Sequence, residues 1–212
     1  MRRLSKQEIS TLPLFEGLPT EATYVVSDIH KAKLAIEHIS EYAVLGFDTE
    51  SKPCFSKGEI STGPHLIQIS TLEKVFLFPA EVTEAVNLLL PILENVHIKK
   101  VGFGLKADSV LLSRKFGIDI AGTIDLANSI QRRLKLENTI GARNSVAMIL
   151  RKKLSKIVQM SNWSARPLNP KQIQYASNDA YSALVTYMRF MDLRSDDIRT
   201  RILKRDSLAF DT

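Results

Sequence analysis

Five side chains of this sequence have the types and spacing to do chemistry together: Asp48, Glu50, Asp108, Tyr175 and Asp179. Asp48 and Glu50 close the apolar run Val44-Leu45-Gly46-Phe47, which reads as a buried strand. Residues two apart in a strand share a face, so these two carboxylates sit side by side, lose hydration and repel each other. Such a pair needs a compensating cation or an unusual protonation. Tyr175 and Asp179 lie four apart in a helical stretch beginning at Pro170, one turn apart on one face. Oxygen ligands gathered from distant segments around hard divalent cations are the means by which a two-metal phosphoryl-transfer site is built. Each feature also has a bland reading. An acid-x-acid triplet arises by chance, Asp108 suits the first turn of a helix, where an acid complements the dipole, and Tyr175 with Asp179 suits a polar helical pair. Taken singly, those readings win for Asp108 and for the helical pair; the joint arrangement shifts the weight.

The elements that must position these residues follow from hydrophobic periodicity. Thr23–Val26 is a short strand candidate, and Ser27 or Asp28 can cap a helix with apolar positions from Ile29 to Ile39. Val44–Glu50 is a strand, followed by a polar loop, Ser51–Pro64. His65–Ser70 and Val75–Phe78 form an antiparallel pair across Thr71–Lys74. Glu81–Leu93 reads as a helix with Pro91 disturbing its end. Lys99–Phe103 is a strand, Lys106–Phe116 a helix and Ile118–Ile124 a further strand. Helices then cover Leu126–Leu134, Ile140–Leu150 and Pro170–Arg189, the last opened by Asn169-Pro170 as cap and first-turn pair. Antiparallel strands first, βαβ-like alternation next and a helical end predict one mixed α/β sheet with helices packed on it. Residues 1–22, with Pro13, Gly17 and Pro19, read as an irregular lead-in, and residues 191–212 as a polar tail.

Composition narrows the partners. The 212 residues are 44% hydrophobic and 25% charged, which suits one globular domain with a proper core. Lys and Arg number 29 against 23 Asp and Glu, a formal charge of +6. With several acids committed to a site, the remaining surface is more basic than that total, a balance that favours polyanionic partners. The single cysteine, Cys54, excludes an intramolecular disulfide and a multi-cysteine zinc site, and reads as a small semi-buried loop residue. His30, His38, His65 and His97 lack metal-ligand spacing, so a site of Asp and Glu oxygens points to Mg²⁺ or Mn²⁺. Neither a signal peptide nor an apolar run of membrane-spanning length is visible, so a soluble cytoplasmic protein is expected.

Three segments carry a resemblance: Phe47-Asp48-Thr49-Glu50, Val101–Asp108 and Tyr175-Ala176-Ser177-Asn178-Asp179-Ala180-Tyr181. In that order, with the tyrosine four before the last aspartate, they resemble the exonuclease motifs of the DEDDy 3′–5′ exonucleases, nearest to the ribonuclease D and Werner-syndrome exonuclease branches. The likeness extends to His65-Leu66-Ile67-Gln68-Ile69 and to Ser161-Asn162-Trp163-Ser164-Ala165-Arg166-Pro167-Leu168, and covers roughly residues 23–190. It implies a ribonuclease-H-like fold, a mixed sheet flanked by helices in a single domain. It also implies metal-dependent removal of nucleotides from the 3′ end of DNA or RNA, releasing nucleoside 5′-monophosphates. By resemblance, Asp48, Glu50, Asp108 and Asp179 hold two Mg²⁺ or Mn²⁺ ions, with Asp48 bridging them, and Tyr175 orients the attacking water. Glu50 and the Thr49 backbone are expected to read the terminal 3′-hydroxyl, and Thr49, Lys106 and Arg166 are candidate nucleic-acid contacts. It does not imply the helical domain that ribonuclease D carries downstream.

Other residues have competing readings. Asp125, between a strand and a helix, reads as an N-cap in preference to a fifth ligand. Trp163 reads as packing under the loop before the last helix in preference to base stacking. Arg132, Arg133 and Lys135, then Arg151, Lys152, Lys153 and Lys156, are equally solvated faces or phosphate tracks. Lys106 faces either the scissile region or solvent. Two rival functions stand beside the exonuclease: a catalytically inactive nucleic-acid-binding module on the same fold, and a metal-dependent phosphatase of small nucleotides. Retention of all four acids and the tyrosine speaks against the first, and the basic surface speaks mildly against the second.

Overall fold

The apolar run Val44–Phe47 becomes the middle of the sheet, because a segment with no polar side chains is stable only when both faces are covered. In the computed structural model, which describes residues 2–54, 56, 58–155 and 157–192, that strand is β2 (Val44–Glu50). Six strands lie in the order β1-β4-β3-β2-β5-β6. The others are β1 (Thr23–Val25), β3 (Leu66–Ser70), β4 (Val75–Pro79), β5 (Lys99–Gly102) and β6 (Thr123–Asp125). β2 pairs antiparallel with β3 and parallel with β5, β3 pairs antiparallel with β4, and both edge strands join in parallel. The sheet is mixed, as expected.

Two helical layers cover it. Side chains alternate along each strand, so Leu45, Phe47, Ile67, Ile69, Phe76 and Phe78 face one core with α2 (Ile29–Ser40), α3 (Thr83–Glu94) and part of α4 (Lys106–Phe116). Val44, Val101, Leu66, Val75 and Leu77 face the other side, toward α5 (Leu126–Leu134), α6 (Ala142–Leu150) and α7 (Pro170–Asp192). Asp28 caps α2 by accepting from Lys31 N at 2.9 Å, and Asn169 accepts from Gln172 N at 3.0 Å in front of Pro170. Asp125 accepts from Ala127 N and Asn128 N and is the N-cap of α5. Lys100, fully buried on β5, donates to the carbonyls of Ile92, Asn95 and Ile98, satisfying oxygens at and beyond the end of α3.

Several expectations shift. The lead-in is not wholly irregular. Lys6–Ser10 forms a short helix, α1, with a capping box in which Glu8 N donates to Ser5 Oγ and Ser5 N donates to Glu8. Ile9 and Phe15 are buried, and the backbones of Pro13 and Phe15 bond Lys153 at 2.9 and 2.8 Å, so this stretch is strapped to the end of α6. Its local composition hid that, because the partner is far away in sequence. β6 is only Thr123–Asp125, since Ile118 turns into the α3 core instead of extending a strand. Pro91 sits inside α3 and the helix runs on to Glu94. Cys54 is exposed. The expected tail from 193 onward and Lys156 lie outside the described residues. Among the described residues no helix is long and apolar enough to cross a membrane.

Candidate active site

β2 leaves the core where its residues change from apolar to acidic. Asp48 and Glu50 lie on the α7 side of the sheet, at the floor of an open cleft of about 1040 Å³ that Thr49, Tyr175 and Asp179 also line. Close approach of α7 to this strand depends on Gly46. A Cβ there would collide with the carbonyl oxygen of Ala180 and with Ser70 Oγ. The missing side chain lets the helix that carries Tyr175 and Asp179 settle directly on the strand that carries Asp48.

Asp108 reaches the same place by another route. β5 ends at Gly102, and Gly104 turns the chain with φ of 72°, a left-handed conformation that glycine adopts without strain. That turn starts α4, whose first turn carries Asp108, buried. Thr49 ties the acids together: its hydroxyl donates to Asp108 Oδ1 and its backbone N–H donates to Asp48 Oδ1 at 2.9 Å. The expected contact of the Thr49 backbone with nucleic acid stands beside these bonds: its N–H is directed at Asp48 and its hydroxyl at Asp108.

Tyr175 and Asp179 lie one turn apart on α7, with the Tyr175 hydroxyl within hydrogen-bonding reach of the Asp179 carboxylate. Trp163 is fully buried, donates Nε1–H to Gln159 O at 3.2 Å, and packs its ring 5.9 Å from that of Tyr175. It is a packing residue, as its surroundings in sequence suggested, and it backs the catalytic-candidate tyrosine.

The electrostatics of this group are those of acids packed close together. Asp48 keeps some solvent contact through the cleft, yet its carboxyl is ringed by protein atoms. Lost hydration, then the charges of Asp108, Asp179 and Glu50, push it well above the usual carboxylate range. Glu50 is pushed up to about 9, first by burial and then by Asp179 and Asp108. Burial also raises Asp108. Tyr175 is raised by burial and by Asp179 and Glu50, which keeps the phenol protonated at neutral pH. As the side chains stand, among the described residues no three His, Cys, Asp or Glu groups converge tightly enough to hold an ion. The oxygen-only donor set fits a hard divalent cation.

The remaining candidates separate. Arg166 spends its guanidinium inside the protein, donating to Trp163 O, Ala165 O and His65 O and pairing with Glu81. It braces the loop before α7 against β3, a structural use that the residue type alone did not reveal. Lys106 is exposed at the start of α4. Arg133 lies over the Phe190 ring at 4.8 Å and donates to Phe190 O, while Lys153 Nζ donates to Ser10 O at 2.7 Å. Both belong to struts. Two features were given no role in the sequence reading. Gln68, opposite Asp48 in the β2–β3 register, is fully buried with both amide atoms unpartnered among the described residues. The cleft also has a basic wall, formed by Arg2, Arg3 and Lys6 from the lead-in and Arg143 from α6.

A family model described as 3′-5′ exonuclease matches residues 24–193. The chain belongs to that family. The exonuclease domain is 33% identical over 159 residues to the bifunctional 3′-5′ exonuclease/ATP-dependent helicase WRN of Mus musculus, covering 73% of this chain and 11% of the mouse protein. It is 27% identical over 160 residues to a 3′-5′ exonuclease of Arabidopsis thaliana, covering 73% of this chain and 54% of that protein. The chain thus spans about half or less of the length of these relatives. In fold it matches the Nibbler EXO domain of Aedes aegypti with a TM-score of 0.73 at 22% identity, covering 82% of this chain and 89% of that one. The mixed sheet flanked by helices is the ribonuclease-H-like fold of such domains. Family membership implies dependence on divalent metal in general terms.

Proposed function

We propose that this domain hydrolyses the terminal phosphodiester at the 3′ end of a DNA or RNA strand, releasing nucleoside 5′-monophosphates. The observation that carries the reading is that Asp48, Glu50, Tyr175 and Asp179, from β2 and α7, line one open cleft, with Asp108 of α4 tied to Asp48 through Thr49. Asp48, Glu50, Asp108 and Asp179 would hold two Mg²⁺ or Mn²⁺ ions. Bound there, divalent cations supply the positive charge that acidifies the attacking water and stabilises the departing 3′ oxygen. Thr49 fixes the angle between Asp48 and Asp108 through its two hydrogen bonds. Tyr175 aims the water. Its phenol is held protonated by its surroundings, so its role is orientation and not bulk proton removal. Water adds to the phosphorus, the bond from phosphorus to the 3′ oxygen breaks, and the shortened strand keeps a 3′-hydroxyl.

The experiment is digestion of 5′-labelled strands, matched in DNA and RNA, with Mg²⁺ or Mn²⁺. A descending ladder with nucleoside 5′-monophosphates as product supports the reading. An uncut strand that shifts on a gel would instead identify an inactive binding module, and neither cutting nor binding leaves the small-nucleotide phosphatase.

A further inference from the structure

The cleft above the acidic floor has a second wall that the catalytic assignment leaves unused. Arg3 and Lys6 reach it from the N-terminal stretch and Arg143 from the first turn of α6, and all three line the same continuous space as Asp48, Glu50 and Asp179. We propose that Arg3, Lys6 and Arg143 form a track for the sugar-phosphate backbone of the strand whose 3′ end enters the acidic floor, an assignment that rests on the exonuclease reading above.

Three observations support it. First, the charges are free for a ligand. All three residues are exposed, and among the described residues none takes part in an ion pair. Arg2 differs: it is paired with Glu8 and is left out of the track. Second, the backbone that carries Arg3 and Lys6 is held in place. The capping box of Ser5 and Glu8 fixes the start of α1, Leu4 packs on the core shared by α5, α6 and α7, and Ile9 is buried. Beyond α1, Lys153 Nζ donates to Ser10 O and its main chain bonds Pro13 and Phe15. Fixed backbone with unpaired basic side chains lowers the ordering cost of gripping a flexible ligand. Third, the floor demands it. Four acids repel a polyanion, and cations bound among them compensate at the reacting phosphate but not at the phosphates behind it. Cationic side chains lining the same cleft offset that repulsion.

The test compares the whole chain with its Arg3→Ala/Lys6→Ala/Arg143→Ala variant. Because all three side chains are exposed, the melting midpoint should stay near that of the parent. Binding is read by fluorescence anisotropy with a short 5′-labelled single strand whose 3′ linkages are phosphorothioates, over rising salt in Mg²⁺. The expected result is weaker binding, with the slope of log Kd against log salt shallower by about two, the loss of three phosphate contacts on a single strand. Hydrolysis of the p-nitrophenyl ester of thymidine 5′-monophosphate, which has no further phosphates, should proceed at the parent rate. An unchanged Kd and salt slope overturns the track. An equal loss of ester hydrolysis also overturns it, because the residues would then act at the reacting phosphate. If the parent neither binds the strand nor cleaves the ester, the exonuclease reading fails together with the track.

Discussion

Tyr175 and Asp179 share a helical face but not a task. Asp179 is assigned to metal, so Asp179→Asn is expected to weaken Mn²⁺ affinity and rate together, with excess Mn²⁺ restoring part of the activity. Tyr175 only aims the water, so Tyr175→Phe is expected to keep metal binding and lose kcat by about tenfold to a few thousandfold, without rescue by metal. Mn²⁺ titrations of activity for both variants decide it; rescue of the tyrosine variant alone would reverse the roles. At this scale the sequence was unusually legible. Spacing of two on a strand and of four on a helix fixes which side chains share a face, and those two spacings pick out four of the five residues proposed for the site. The use made of Thr49 and Arg166 was not legible, because a hydroxyl and a guanidinium have many partners and the ones they chose lie 59 and up to 101 residues away. Gln68, quoted within the resemblance, was given no role for the same reason: its neighbour Asp48 is adjacent only across the strand pair.

At the scale of elements, the site depends on how closely α7 lies on β2. Gly46 permits that contact, and any Cβ there meets the backbone oxygen of Ala180, an atom on a packed helix that has no rotamer to escape into. Gly46→Ala is therefore expected to destabilise the fold by about 1–3 kcal/mol, as overpacking does, and to move α7 off the sheet. Activity should fall further than stability alone explains, since Tyr175 and Asp179 move with the helix. Urea midpoints and kcat on the same preparation check this, and unchanged values of both would contradict it. Element types and most boundaries followed from hydrophobic period, capping by Asp28 and Asn169, and the Asn169-Pro170 start. Pairings between distant elements did not. The parallel joining of β1 to β4 and the strapping of residues 13–15 to Lys153 leave no periodic trace in either partner. The lead-in looked irregular because its order comes from the end of α6.

At the scale of the whole molecule, the acidic floor is a source of instability that metal relieves. Glu50 has a folded pKa of about 9, raised from 4.5. Between those values the folded state binds more protons than the unfolded chain. Stability of the metal-free protein should therefore fall as pH rises through that window, and the loss should be complete above the folded value. Mn²⁺ binds the folded state, so its stabilising effect should be larger near pH 9 than near pH 5. Thermal melts with EDTA or Mn²⁺ across that range test this; a metal-free stability that climbs steadily with pH would refute it. The net charge of +6 gains meaning on the same scale, because basic residues of the N-terminal stretch and α6 line the same cleft as the acids. Asp48 is the residue on which the whole account turns, since the resemblance has it bridge both ions. The most direct measurement is therefore single-turnover shortening of a 5′-labelled strand by the parent and by Asp48→Ala, each with Mn²⁺ and after EDTA. The account predicts that EDTA silences the parent. It also predicts that Asp48→Ala, still folded, falls by on the order of a thousandfold or more, the loss of several kcal/mol of charge stabilisation. Near-parent turnover by Asp48→Ala, or full activity after exhaustive chelation, would contradict it.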